Sequence, residues 1–182
     1  LLLAIRARLA ADGAPAALLK HEGDQSSHDF LMAALAEHRP GDAVMSEEGT
    51  AHAVHPDRSG AERTWIVDPV DGTREYSEPP RSDWAVHVAL VVDGSPVAAA
   101  VCLPASRQLY GTGMSVASRP PVRDRPVVIT SRSQWGEAEE VAAAIGGVVR
   151  SCGSAGVKAM AVVAGSADVY VHPSGLYAWD AC

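Results

Sequence analysis

Aromatic residues are scarce in this chain: a single phenylalanine and four scattered tryptophans leave no row of stacking surfaces for single-stranded nucleic acid. Positive charge is short as well. With 15 Lys and Arg against 22 Asp and Glu and a formal net charge of -7, no general basic face can collect nucleic acid or an anionic membrane. A polyanionic substrate would need cations to bridge it to the protein. The three cysteines, Cys102, Cys152 and Cys182, lie far apart and form no C-x-x-C pair. That argues against a disulfide framework or a cysteine zinc site and favours a reducing, cytoplasmic setting. No segment is apolar over the length a membrane span requires. The leading run LLLAIRARLAADG is broken by Arg6 and Arg8, so it reads neither as a span nor as a signal peptide. H-E-x-x-H and G-x-S-x-G are both missing, His52 and His55 read as part of a polar loop, and GTGMSVA at 111–117 reads as a hairpin turn. There is no internal repeat and no low-complexity tract.

What is present is enough apolar material for one core: 182 residues, 47% of them hydrophobic. One domain over 1–182 is expected, with sub-lobes at about 1–120 and 121–182. A chain beginning at Leu1 rather than Met is expected to lack its true start. Leu2, Ile5 and Leu9 share one face of a first helix. The run KHEGDQSSHDFLMAALAEHRPGD reads as a polar loop followed by a helix, capped by Ser26 or Ser27 and burying Phe30, Leu31, Ala34 and Leu35. AVMSEEGT is a short strand carrying two glutamates into a loop, and AHAVHPDRSGAER is polar loop. TWIV is a strand entering the turn DPVDGT, and Trp65 and Trp84 are expected in the core. From Trp84 to Val92 alternate residues are large and apolar, and Asp93-Gly94 turns the chain into PVAAAVCL, a buried hairpin. RPVVITSRSQWGEAEEVAAAIGG gives a strand, a loop and a helix that buries Ala138, Val141, Ala142 and Ile145. GSAGVKAMAVVAG gives a helix with Val157, Met160, Ala161 and Ala164 on one face, and ADVYVH is a strand. Helices alternating with hairpins and single strands predict a layered helix-and-sheet protein rather than a purely parallel doubly wound one.

The acidic residues form the most informative pattern. Asp24 follows a loop, Glu47 ends a strand, Asp68 and Asp71 flank a turn, and Asp180 follows an aromatic residue. Carboxylates borne on strands and loops are the hard oxygen ligands that Mg2+ takes. In DPVDGT, Pro69 fixes φ, so the turn can aim Asp68, Asp71 and the Val70 carbonyl at one point. Gly72 permits close approach of backbone to a ligand, and a helix starting at Thr73 would offer free N–H groups to a phosphate.

Asp24, Glu47-Glu48, DPVDGT and the final WD occur in the order of the D…EE…DP(I/L/V)DGT…WD signature, and over nearly its whole length the chain resembles the lithium-sensitive, Mg2+-dependent inositol monophosphatase superfamily. The resemblance implies an α+β fold, a layered α/β/α/β/α sandwich. It implies two or three Mg2+ ions held by Glu47, Asp68, the Val70 carbonyl, Asp71 and Asp180. It also implies that Thr73, supported by Asp24 and a metal near Glu47, orients the attacking water, and that Gly72 and Thr73 cradle the phosphate. Members continue for several tens of residues beyond WD, so a further part of the fold is expected past Cys182. Dimers are common among them, which makes a homodimer the expectation.

Residues outside the metal signature bear on the substrate. DGTREYSE, ITSRSQ, GSAGVKAM and HPSGLYAWD resemble the CysQ-type 3'(2'),5'-bisphosphate nucleotidases, with Gln134 standing where their SRSH loop has histidine. That likeness implies that Ser131, Arg132, Ser133, Ser154 and Lys158 meet the second phosphate. The small-molecule substrate would be 3'-phosphoadenosine 5'-phosphate or its phosphosulfate, in the nucleotide turnover of sulfur assimilation. On residue chemistry alone, Lys158 and Arg132 read equally well as solvated charges, and the serines as helix caps. Inositol 1-phosphate and fructose 1,6-bisphosphate are the rival substrates, and a non-catalytic nucleotide- or metal-binding relative is the rival class.

Overall fold

The computed structural model describes residues 1–49, 60–115 and 123–181. The apolar spacing of the first segment becomes helix α1, Leu2–Ala11, with Leu2 and Leu9 buried. Its Arg6 is buried too, stacked 5.7 Å from the Tyr76 ring centroid and 5.8 Å from that of Trp84. Helix α2, Ala16–His38, is continuous through the stretch that reads as a polar loop. The correction has a physical reason: Gly23, Ser27 and His28 are buried on the face that covers the sheet, so tertiary packing supplies what local propensity does not. The stripe therefore runs through Leu19, Gly23, Ser27 and Met32, while Phe30 is 61% exposed.

Two sheets follow. The first has the order β1-β2-β3-β4-β5, built from β1 Ala43–Ser46, β2 Arg63–Asp71, β3 Ala85–Val92, β4 Ser95–Leu103 and β5 Gln108–Gly111. Only the β1–β2 pair is parallel. The expected β3–β4 hairpin is present, turning on Asp93 (φ 47°) and Gly94 (φ 75°), and β5 adds an edge strand not foreseen from sequence. The second sheet is wholly parallel, in the order β7-β6-β8, from β6 Val127–Ser131, β7 Val148–Cys152 and β8 Val169–Val171.

Helix α5, Ala155–Val163, touches β3 and β4 of one sheet and β6 and β8 of the other, so it lies between them. Helix α4, Trp135–Ala144, closes the far side of the second sheet, where Val128, Ala138 and Ala142 form a core with Val149, Val169 and Val171. Helices α1 and α2 back the first sheet through Met32, Val44 and Val67 and through Leu2, Leu19, Val70, Tyr76 and Trp84. This is the expected α/β/α/β/α layering. Trp84 is fully buried, whereas Trp65 is half-buried and donates Nε1 to Asp42 at 2.8 Å. Among the predicted helix faces, Ala138 and Ala142 are buried, but Ile145 is 43% exposed and α5 buries Ala155, Gly156 and Lys158 rather than the expected Val157, Met160, Ala161 and Ala164, which are half-buried.

The DPVD segment is not a turn. Strand β2 runs through it to Asp71, and its register against β3 shifts from Asp68↔His87 to Asp71↔Ala85. Three steps along β2 thus oppose two along β3, a β-bulge with one extra residue. Side chains alternate faces along a strand, so residues three apart normally point oppositely. The bulge brings Asp68 and Asp71 to the same face.

Candidate active site

Two elements deliver carboxylates to that face of the first sheet. The bulge of β2 delivers Asp68, 2% exposed, and Asp71, 7% exposed, and the short helix α6, Ala178–Ala181, packs on β2 and β3 and delivers Asp180. One oxygen from each of the three carboxylates lies within 4.8 Å of the others. Buried carboxylates so close repel one another and lose hydration, and both effects favour the neutral acid. Burial, with the charges of Asp71 and Glu47, pushes Asp68 up to about 10, and its Oδ1 is buried with no hydrogen-bond partner. Glu47 follows β1, its N–H donating to the Val67 carbonyl at 3.1 Å, and its carboxyl accepts a hydrogen bond from Asp68. Burial also raises Glu47. A divalent cation is the ligand this arrangement fits: three hard oxygen donors, crowded negative charge and an unpartnered buried oxygen.

Asp71 behaves differently. Burial alone would raise it, but His87, Ser154 and the Gly156 N–H outweigh burial and hold it below the ordinary carboxylate value. It sits at the N-terminus of α5, where Oδ1 accepts from the Ala155 N–H at 3.1 Å and Oδ2 from the Gly156 N–H at 2.6 Å and from the Ser154 hydroxyl. An anion at a helix N-terminus satisfies N–H groups that have no partner within the helix.

After Asp71 the chain needs a left-handed residue, and Gly72 takes φ 87° with backbone and side-chain atoms crowding the site of a Cβ. Helix α3, Thr73–Tyr76, begins there. Thr73 Oγ1 donates to the Val70 carbonyl at 3.1 Å and also hydrogen-bonds Asp24 on α2. Burial, then Glu48 and Glu47, lift Asp24 to about 7, while Thr73 and Lys20 act in the lowering direction. Asp24, Glu47, Asp68, Val70, Asp71, Gly72, Thr73 and Asp180 thus converge on one site.

The residues singled out for a second phosphate are placed otherwise. Lys158 is 1% exposed, and its Nζ donates to the Ser154 carbonyl at 2.8 Å and to that of Gly153, 5.5 Å from the Tyr170 ring centroid. It is not the solvated charge the sequence also allowed. Burial lowers its pKa against the pull of Asp71. Ser154 is buried, capping α5 by accepting from Val157 N–H while its hydroxyl binds Asp71. Ser133 is exposed and Ser131 half-buried. Arg132, between them, is exposed but shared by Glu75 at 3.0 Å and Asp83 at 2.7 Å. Arg81 binds the same two carboxylates at 2.9 and 2.8 Å, so a network ties the segment after α3 to the second sheet. His52 and His55 lie outside the described residues.

His87 was not singled out by sequence reasoning. Its signal was faint: the one polar residue in the otherwise apolar run WAVHVALVV.

The inositol monophosphatase family model matches residues 11–182. The chain is 38% identical to the 3'-phosphoadenosine 5'-phosphate phosphatase of Mycobacterium bovis and 39% identical to that of Mycobacterium leprae, covering 99% of this chain and 69% of each relative. Its fold overlays the crystal structure of inositol monophosphatase-II from Staphylococcus aureus MSSA476 with a TM-score of 0.75 at 24% identity, covering 98% of this chain and 71% of that one. Among the described residues no helix is long and apolar enough to cross a membrane.

Proposed function

Because the chain belongs to the inositol monophosphatase family, we propose that it is a Mg2+-dependent phosphomonoesterase that removes the 3'-phosphate of 3'-phosphoadenosine 5'-phosphate to leave AMP. The corresponding phosphosulfate is a second substrate. The observation that carries the chemistry is the convergence of Asp68, Asp71 and Asp180 at ligand distance on one face of a bulged strand. The relatives' activity carries the choice of nucleotide.

Asp68, Asp71 and Asp180 would hold the cation, with Glu47 and the Val70 carbonyl beside it. Bound Mg2+ supplies neutralisation of charge on the phosphoryl group and a lowered pKa for adjacent water. The remaining work falls to side chains. When the Thr73 hydroxyl donates to Asp24, its oxygen is free to accept from the attacking water and hold it in line. Burial, Glu48 and Glu47 lift Asp24 to about 7 in the metal-free protein, and a cation beside Glu47 would oppose that rise, keeping Asp24 the ionised acceptor that holds the Thr73 hydroxyl. Gly72 and the first N–H groups of α3 face the phosphate. Arg132, flanked by Ser131 and Ser133, is an exposed cation that turns from Glu75 and Asp83 to the second phosphate. Lys158 and Ser154 shape the Gly153–Ser154 loop and seat Asp71.

The same reading places the protein in the cytoplasm, in the nucleotide turnover of sulfur assimilation, as a homodimer. The unpaired Cys102 and Cys152 accord with a reducing compartment. The acidic cluster also supports inhibition by lithium, and unchanged turnover in millimolar LiCl would count against it. One observation favours a second reading. Arg132 is already neutralised by two carboxylates, which suits an inositol 1-phosphate or fructose 1,6-bisphosphate phosphatase that reads no second nucleotide phosphate. The deciding experiment is Mg2+-dependent phosphate release from the three substrates. A kcat/KM far higher for the nucleotide supports the proposal, and equal or higher values for the sugar phosphates overturn the substrate assignment.

A further inference from the structure

His87 is 4% exposed and lies between two parts of the carboxylate site. Its Nδ1 stands 3.0 Å from the Trp179 carbonyl, immediately before Asp180. Its Nε2 stands 3.0 Å from Asp71 Oδ2, an ion-pair distance without the alignment of a hydrogen bond. In the β2–β3 register His87 faces Asp68, and Ala85, two residues earlier, faces Asp71, so the bulge is what brings Asp71 to this ring. A third element leaves the ring its space. A Cβ on Gly156 would lie 2.0 Å from Nε2, 2.8 Å from Cε1 and 3.0 Å from Cδ2. Gly156 sits in the first turn of α5, where its N–H also binds Asp71.

We propose that His87 is a positioning residue for the cation site, a single ring that fixes the Asp71 carboxylate on one side and the Trp179-Asp180 backbone on the other. The inference rests on reading Asp68, Asp71 and Asp180 as cation ligands. Two hydrogen-bond donors, Gly156 N–H and Ser154 hydroxyl, and the His87 Nε2 at ion-pair distance gather on Oδ2 of Asp71, whereas Oδ1 accepts one N–H. Crowding donors on one oxygen turns the other toward the ion. The contact to Trp179 sets where α6 docks, and with it the distance of Asp180 from Asp71. Groups behind metal ligands commonly act this way, by holding the ligand's orientation before the ion arrives.

The test measures Mg2+ binding to the intact protein by isothermal titration calorimetry, alongside steady-state kinetics at rising Mg2+. His87→Phe keeps a ring without its nitrogens, His87→Gln keeps one donor, and Gly156→Ala displaces the ring from the opposite side. His87→Phe and Gly156→Ala are expected to weaken the Mg2+ Kd by about 10- to 100-fold, the usual effect of removing such a partner. Turnover should then recover as Mg2+ is raised, KM for the nucleotide should stay unchanged, and His87→Gln should fall between. A purely structural role would lower thermal stability without this Mg2+-rescued kcat. If His87→Phe does not fold, Gly156→Ala and His87→Gln decide by the same readouts. Folded variants with an unaltered Mg2+ Kd overturn the proposal. Asp68→Asn separates the two levels: if it binds Mg2+ normally, the cation reading itself is wrong. If it loses Mg2+ while the His87 and Gly156 variants keep it, only the positioning role falls.

Discussion

The Ser27 hydroxyl on α2 donates to the Pro69 carbonyl, 2.8 Å away within the bulge of β2. Asp24 lies one helical turn before Ser27, so this buried bond sets Asp24 against the Asp68-to-Thr73 segment. Ser27→Ala leaves the carbonyl without its donor and should lower unfolding stability by about 1 to 3 kcal/mol. Urea denaturation measures the loss, and kcat should fall with it because Thr73 and Asp24 lose registry. Full stability and full turnover would show that the bond does not hold the helix.

Asp68 and Asp71 look equivalent in the motif, yet their substitutions should differ. Asp68 gains nothing from its charge without a cation, so metal-free Asp68→Asn should be at least as stable as the unmodified protein at neutral pH while losing Mg2+-dependent turnover. Asp71→Asn places an amide among donors from Ser154, Ala155 and Gly156 and should cost about 2 kcal/mol of stability as well as turnover. Thermal unfolding in EDTA distinguishes the pair, and equal midpoints would contradict the geometry.

The pH dependence has a definite sign. Asp24 is raised to about 7 in the folded protein, so between its ordinary value near 4 and about 7 the folded state binds more protons than the unfolded one. Stability of the metal-free protein from this group is full below that window and declines as pH rises through it, and raised Asp68 extends the decline to higher pH. Asp71, depressed, acts oppositely, and its contribution is lost only as pH falls below about 4. Mg2+ requires ionised carboxylates, so the Mg2+-induced rise in thermal midpoint should grow from about pH 5 to about pH 8. A shift independent of pH would be inconsistent with the raised pKa values.

Arg6 stacks on Tyr76 and Trp84 and donates to the carbonyls of Tyr76 at 2.7 Å and Glu75 at 3.1 Å, the end of α3. Arg6→Met should cost about 2 to 6 kcal/mol, roughly 1 to 3 for each carbonyl left without a donor. Chemical denaturation would show it, with the midpoint unchanged if α1 merely lies on the surface.

Arg132→Ala tests the substrate assignment. Losing a charge-assisted contact of about 1.5 to 3 kcal/mol corresponds to a rise of roughly 10- to 100-fold in KM for 3'-phosphoadenosine 5'-phosphate. Inositol 1-phosphate, with no second phosphate, should be hydrolysed as before, because Arg81 still pairs Glu75 and Asp83. Equal effects on both substrates would reduce Arg132 to a structural link.

The chain's local chemistry determined a good deal by itself. The carboxylates proposed to hold a cation were legible in the DPVDGT, Glu47-Glu48 and WD groups, and the β3–β4 hairpin follows from alternation around Asp93-Gly94, because these depend on neighbours in sequence. The tertiary structure alone decided the rest. Local signals read a loop at Asp24, where packing of Gly23 against Tyr76 and of Ser27 against Pro69 keeps α2 helical. They read a turn at Asp68–Asp71, where pairing with β3 imposes a bulge that puts both carboxylates on one face. Lys158 and His87 could not be placed from sequence, since the carbonyls of Gly153 and Trp179 that engage them depend on how α5 docks between the sheets and α6 on the first sheet. Residue type set which groups could bind a cation, and long-range strand register set which of them lie together.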